Sequence, residues 1–126
     1  MAAPADDPNP EEWGCENTVV STDIAFGTGK TNSVNIVNNC GSNNAAGYCR
    51  NLTSQSGYNS WYLPSQMELD MLFQQQANVP GLSGTYWSSS GYGTGYAWIE
   101  DFTYGPGHQM AVPVGGVFNV RAIGAW

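Results

Sequence analysis

A chain of 126 residues is one domain's worth and can bury roughly two thirds of its unfolded surface. Charged residues make up only 10% against 13% aromatics and 16 glycines, which argues against long solvent-facing helices. The formal charge is −7, and the three cations, Lys30, Arg50 and Arg121, cannot neutralise a run of phosphates, which argues against nucleic acid or a sulfated polysaccharide as principal ligand.

Residues 1–12 are rich in Pro, Ala and acid with almost no large apolar side chain, and read as a flexible leader. From Trp13 the composition changes, and residues 13–126 form a single domain. Thr18-Val19-Val20 and Ile24-Ala25-Phe26 read as extended, closed by a tight turn at Gly27-Thr28-Gly29, which lacks the remaining glycine of a phosphate loop. Asn32 is placed to cap a helix carrying Val34, Ile36, Val37 and Cys40, and a second helical piece presents Ala45, Tyr48, Cys49 and Leu52. Cys40 and Cys49 enclose a short loop containing Gly41; a bridge there would contribute on the order of 2–3 kcal/mol, with Cys15 the odd thiol. Three small buried hydrophobes are the alternative. A bridge would place maturation in an oxidising compartment.

Ser65 followed by Glu68 is a capping box after Pro64, and Leu69, Leu72 and Phe73 give the helix an apolar stripe that ends near Asn78, before Pro80. The chain then turns to strands: 85–88, 96–102, 109–112 and 117–123, separated by Gly-rich turns, an antiparallel meander. In the second, Trp98, Glu100 and Phe102 share what reads as the core face, leaving Ile99 and Asp101 outward. The fold class is α+β.

Convergent acid, base or nucleophile groups are not apparent, so no catalytic residue is assigned. His108 is the only imidazole and sits beside a Gly-Pro-Gly turn; Glu100 and Asp101 point to opposite faces; Glu68 is occupied by its cap; Asp70 reads as solvated. No carboxylate cluster is spaced for calcium and no zinc template is present, so neither a metal nor a cofactor is expected. No apolar run approaches bilayer length, so no direct membrane insertion is expected.

Taken in order, Gly27-Thr28-Gly29-Lys30-Thr31-Asn32, the Cys40 and Cys49 pair, Trp61-Tyr62-Leu63-Pro64-Ser65 with Glu68-Leu69, Tyr86-Trp87-Ser88-Ser89-Ser90, Ala97-Trp98 with Phe102 and Gly105, and Val120-Arg121-Ala122 form a pattern. It resembles the Lcl C-terminal-like domain family, the C-terminal domain of a bacterial collagen-like adhesin, over about residues 13–126. That resemblance implies a C-type-lectin-like fold of two helices packed on a small twisted antiparallel sheet. It also implies a non-enzymatic display or binding module, extracellular, on a cell surface or on a phage virion. The chain departs from the family where Ile123-Gly124 replaces the usual Val-Arg ending, and residues 103–119 hold one Asn and no Lys. A C-terminal segment rewritten by a diversity-generating retroelement would lose Asn in this way; ordinary loop composition would read the same.

What remains is a set of aromatic and small residues in the late strands and turns: Tyr92, Thr94, Tyr96, Ile99, Asp101, Tyr104, His108, Met110, Phe118 and Asn119. Tyr offers stiff contact area with a polar tip and Gly and Ser adaptable hydrogen bonding, the composition of antibody-like paratopes. Residues 91–119 are therefore the expected binding face, for a protein or glycan partner. The alternative is an oligomerising cap on a surface or phage fibre, with the same aromatics as a subunit interface.

Overall fold

The computed structural model describes residues 2–3, 5–16, 19–56, 61–79, 81–103 and 108–124. Three α-helices, α1 (Gly29–Cys40), α2 (Ala45–Ser56) and α3 (Gln66–Gln74), precede three strands, β1 (Thr85–Gly91), β2 (Tyr96–Asp101) and β3 (Gln109–Pro113). The sheet is antiparallel in the order β1-β2-β3, so the chain is α+β with one more helix than the resemblance implied. A 3-10 turn, Gln76–Asn78, prolongs α3 to the expected stop.

The capping box of α3 forms in full: Glu68 N–H donates to Ser65 Oγ at 3.3 Å and Ser65 N–H to Glu68 Oε1 at 2.9 Å. Glu68 does more than this local task. Its carboxylate also accepts the N–H groups of Gly29 at 3.0 Å and Gly27 at 3.2 Å, and so caps α1 from outside. That displaces Asn32 from the expected capping role: the cap falls four residues earlier, at Thr28, and Asn32, 2% exposed, lies inside α1. Asn32 instead clamps the 21–28 loop, accepting Asp23 N–H and donating to Asp23 C=O and Ser89 Oγ. Gly29 permits the approach, since a Cβ there would lie 2.8 Å from the Leu63 carbonyl oxygen.

Two apolar clusters flank the sheet. One joins Trp13, Ile36, Ala45, Cys49, Trp87, Ile99 and Val120; the other joins Tyr62, Leu69, Leu72, Phe73, Tyr86, Phe102 and Ile123. Both faces of β2 are therefore covered, and Ile99, expected outward, is 4% exposed. Its neighbour Trp98 is the half-buried one, resting edge-on against Tyr92. The reason is register: Ile99 pairs with Trp87, which belongs to the larger cluster, while Trp98 pairs with Ala111 near the edge strand.

Three further expectations are corrected. The disulfide joins Cys15 to Cys40, and Cys49 is a buried free thiol. Cys49 lies on the α2 face turned into the core, whereas Cys40 ends α1 beside the chain at Gly14-Cys15. Residues 2–3 and 5–12 are not a free leader: Ala3, Asp7 and Glu11 donate backbone N–H bonds to Ala122, Val120 and Phe118. The last segment, expected to be the fourth strand of the meander, makes isolated bridges to Ala2, Glu11 and Tyr62 instead of joining β3. Arg121, 2% exposed, fixes the pairing through Asp6 at 2.7 Å, because a buried guanidinium requires an acid beside it. Among the described residues, Val19–Val20 and Ile24–Phe26 form no regular strand. No helix there is long and apolar enough to cross a membrane.

Candidate ligand-binding face

Alternation along the strands sends Thr85, Trp87, Ile99, Asp101, Met110 and Val112 to one face of the sheet, and Tyr86, Trp98, Glu100, Gln109 and Ala111 to the other. On the first face a concavity of about 470 Å³ opens between β1, β2, β3 and the 114–118 turn. Its floor is Ile99, Val112 and Phe118; Phe118 is held by an edge-on contact with Trp87 at 4.9 Å. Its rim is Thr85, Asp101, His108, Gln109 and Met110, and Met110 is 58% exposed. The Asp101 carboxylate is oriented by accepting Thr103 N–H at 2.8 Å, and the β2–β3 connection is closed by Asp101 N–H donating to His108 C=O at 3.0 Å.

Five of the ten sequence-expected contact residues, Ile99, Asp101, His108, Met110 and Phe118, thus line one cavity. The others do not converge on it. Tyr92, Thr94 and Tyr96 lie at the β1–β2 turn, with Tyr96 on the opposite face and Tyr92 against Trp98 there. Asn119 is half-buried and ties Thr85 to the last segment through the backbone, its amide reaching Ser83 C=O. Tyr104 falls outside the described residues. Thr85, Gln109 and Val112 were missed, although the i, i+2 spacing from Met110 was enough to place Val112 on the same face.

On the second face the chemistry is different. Glu100 is fully buried; its Oε1 accepts Gln109 Nε2 at 3.1 Å, and Gln66 Nε2 donates in turn to Gln109 Oε1 at 3.1 Å. Glu100 Oε2 has no hydrogen-bond donor among the described residues. Burial, and then the neighbouring Asp70 carboxyl, raise Glu100 to about 7, so Asp70 is not the freely solvated side chain expected. A carboxylate beside Glu100 disfavours a second negative charge and so holds the proton there. A parallel pair stands near the start of the chain, where a hydrogen bond with Asp7, then burial, raise Glu11 to about 7.

Compared with models of known protein families and with curated proteins, the chain gives no match.

Proposed function

We propose that the chain is a non-enzymatic binding and display domain of C-type-lectin-like type, which holds a protein or glycan partner on the Ile99 face of its sheet. The observation that supports this is the cavity: an apolar floor fixed by core packing, ringed by a carboxylate, an imidazole and an exposed thioether. The floor belongs to the scaffold, whereas Met110 at the rim is exposed and packs against no core cluster, which leaves that position able to vary at little cost to the fold. That division also suits diversification of the C-terminal segment. The Cys15–Cys40 bridge fits an extracellular or surface setting.

The test is a fluorescent, tetramerised form of the domain screened over arrays of glycans and of bacterial surface proteins. A specific hit that Met110→Asp abolishes and Lys30→Gln preserves is the expected result; a hit indifferent to Met110→Asp would refute this location. For diversification, the expected finding is a near-repeat of the 3′ coding sequence differing at adenines, beside a reverse transcriptase gene.

The oligomerising-cap reading draws on one observation: Tyr92 and Tyr96, 57% and 48% exposed, lie away from the cavity where a second copy would meet them. Light scattering separates the two, since a cap assembles and Tyr92→Ser with Tyr96→Ser dissolves it.

A further inference from the structure

The opposite side of the molecule carries a second concavity of about 480 Å³, between the 21–28 loop, α3 and the start of β3. Its apolar surface is Ile24, Phe26, Met67 and Met71, which are 47%, 51%, 51% and 39% exposed. A second hollow of about 430 Å³ continues it past Phe26 and Met71 toward Val79. Large apolar side chains that the fold leaves in water together mark a contact surface, and two methionines give one that adapts to its partner. Asp70 is the charged residue in its lining, and behind Asp70 and Gln109 lies the Glu100 carboxyl with its donorless Oε2.

We infer that this groove is a second recognition site, independent of the Ile99 face, for a basic amphipathic helical segment of a partner protein. Apolar residues of the segment would lie on Met67, Met71 and Phe26, and a Lys or Arg would sit at Asp70. Charge complementarity selects the occupant: a second copy of this chain brings the same −7, and its three cations include Arg121, already buried on Asp6. A cation at Asp70 favours the ionised form of the buried Glu100 carboxyl behind it, whose proton then leaves to solvent. Binding therefore strengthens as pH rises.

Among the described residues, the groups that face Glu100 are few. From α3 it meets Asp70, from β3 the uncharged Gln109, and from β1 Tyr86, its register partner. The Tyr86 hydroxyl donates to Asp6 and accepts Ser83 N–H, and burial keeps it protonated. Glu68, also on α3, is occupied by three backbone N–H groups, and Asp101 and His108 belong to the other face.

An acetylated 14-residue Lys/Leu amphipathic helix, which has no group titrating near neutrality, is the probe, followed by anisotropy and calorimetry on the whole chain. Affinity is expected to rise about tenfold between about pH 5.5 and 8, with proton release at the lower pH. Asp70→Asn weakens binding about tenfold at the higher pH, and Glu100→Gln, which preserves shape, removes the pH dependence while retaining affinity. Met71→Ser weakens binding at both pH values, and Met110→Asp at neither. Equal loss in the charge-matched Glu16→Gln, equal binding of a Glu/Leu helix, a pH-independent affinity in the parent chain, or no binding at all would each overturn the inference.

Discussion

Glu68 and Gly29 are joined by a 3.0 Å hydrogen bond that makes one carboxylate the cap of two helices. The start of α1 and the start of α3 are consequently one structural unit, although 39 positions separate the bonded residues. Glu68→Ala is expected to cost about 3 kcal/mol, since two buried backbone donors and one partly buried one lose their acceptor together, against about 1 kcal/mol for Ser65→Ala. Urea unfolding followed by circular dichroism measures both, and equal losses would reduce Glu68 to its local capping role.

Cys15→Ser and Cys40→Ser should each lower stability by about 3.5 kcal/mol, the chain-entropy value for a closed loop of 25 residues. In the native state Cys49 should resist alkylation, because burial pushes its thiol far up and shields it. Peptide mapping under non-reducing conditions should recover Cys15 linked to Cys40.

Removal of residues 1–12 is expected to destabilise the domain by about 3–5 kcal/mol, because it leaves the Arg121 guanidinium buried without Asp6. Asp6→Ala alone should account for most of that loss. A truncated chain that melts with the full one would restore the leader reading.

Glu100 and Glu11 both have their folded-state pKa raised from 4.5 to about 7. Such groups contribute stability that is fully present below the unfolded value and is lost as pH rises through the folded one. Stability should therefore fall between about pH 5 and 8, on the order of 2 kcal/mol from buried Glu100 and less from the more exposed Glu11. Glu100→Gln should flatten most of that slope in a melting series across pH.

The cavity predicts a contrast between floor and rim. Met110→Ser is expected to change stability by less than about 0.5 kcal/mol, whereas Ile99→Ala should cost about 2–4 kcal/mol. Equal costs would show that the rim is scaffold too.

The parts that were legible in the sequence depend on local chemistry. The Ser65 and Glu68 box, the stop before Pro80 and the three late strands follow from short-range spacing. The parts that were not legible depend on pairing at a distance. Nothing near Asn32 reveals that Glu68 already caps its helix, and spacing alone cannot rank Cys15 above Cys49 as the partner of Cys40. Ile99 was turned outward because β2 was given one core face, and only the register with Trp87 shows that both faces are covered. Half of the expected contact set met at one cavity for the same reason: alternation separates Ile99, Asp101 and Met110 from Tyr96, a division that composition does not see.

The ladder between residues 2–12 and the last segment has a mechanical consequence. Its rungs run from Ala2 and Ile123 to Glu11 and Phe118, and Phe118 forms part of the cavity floor. Traction applied between the two ends peels these rungs one at a time, the mode of least resistance, and the peeling front arrives at the cavity last. A domain anchored through both ends would keep its grip under light load and release its cargo once the front reaches Phe118. A force ramp between Ala2 and Ile123 in an optical trap should show ligand loss coinciding with the final rung and not with the first.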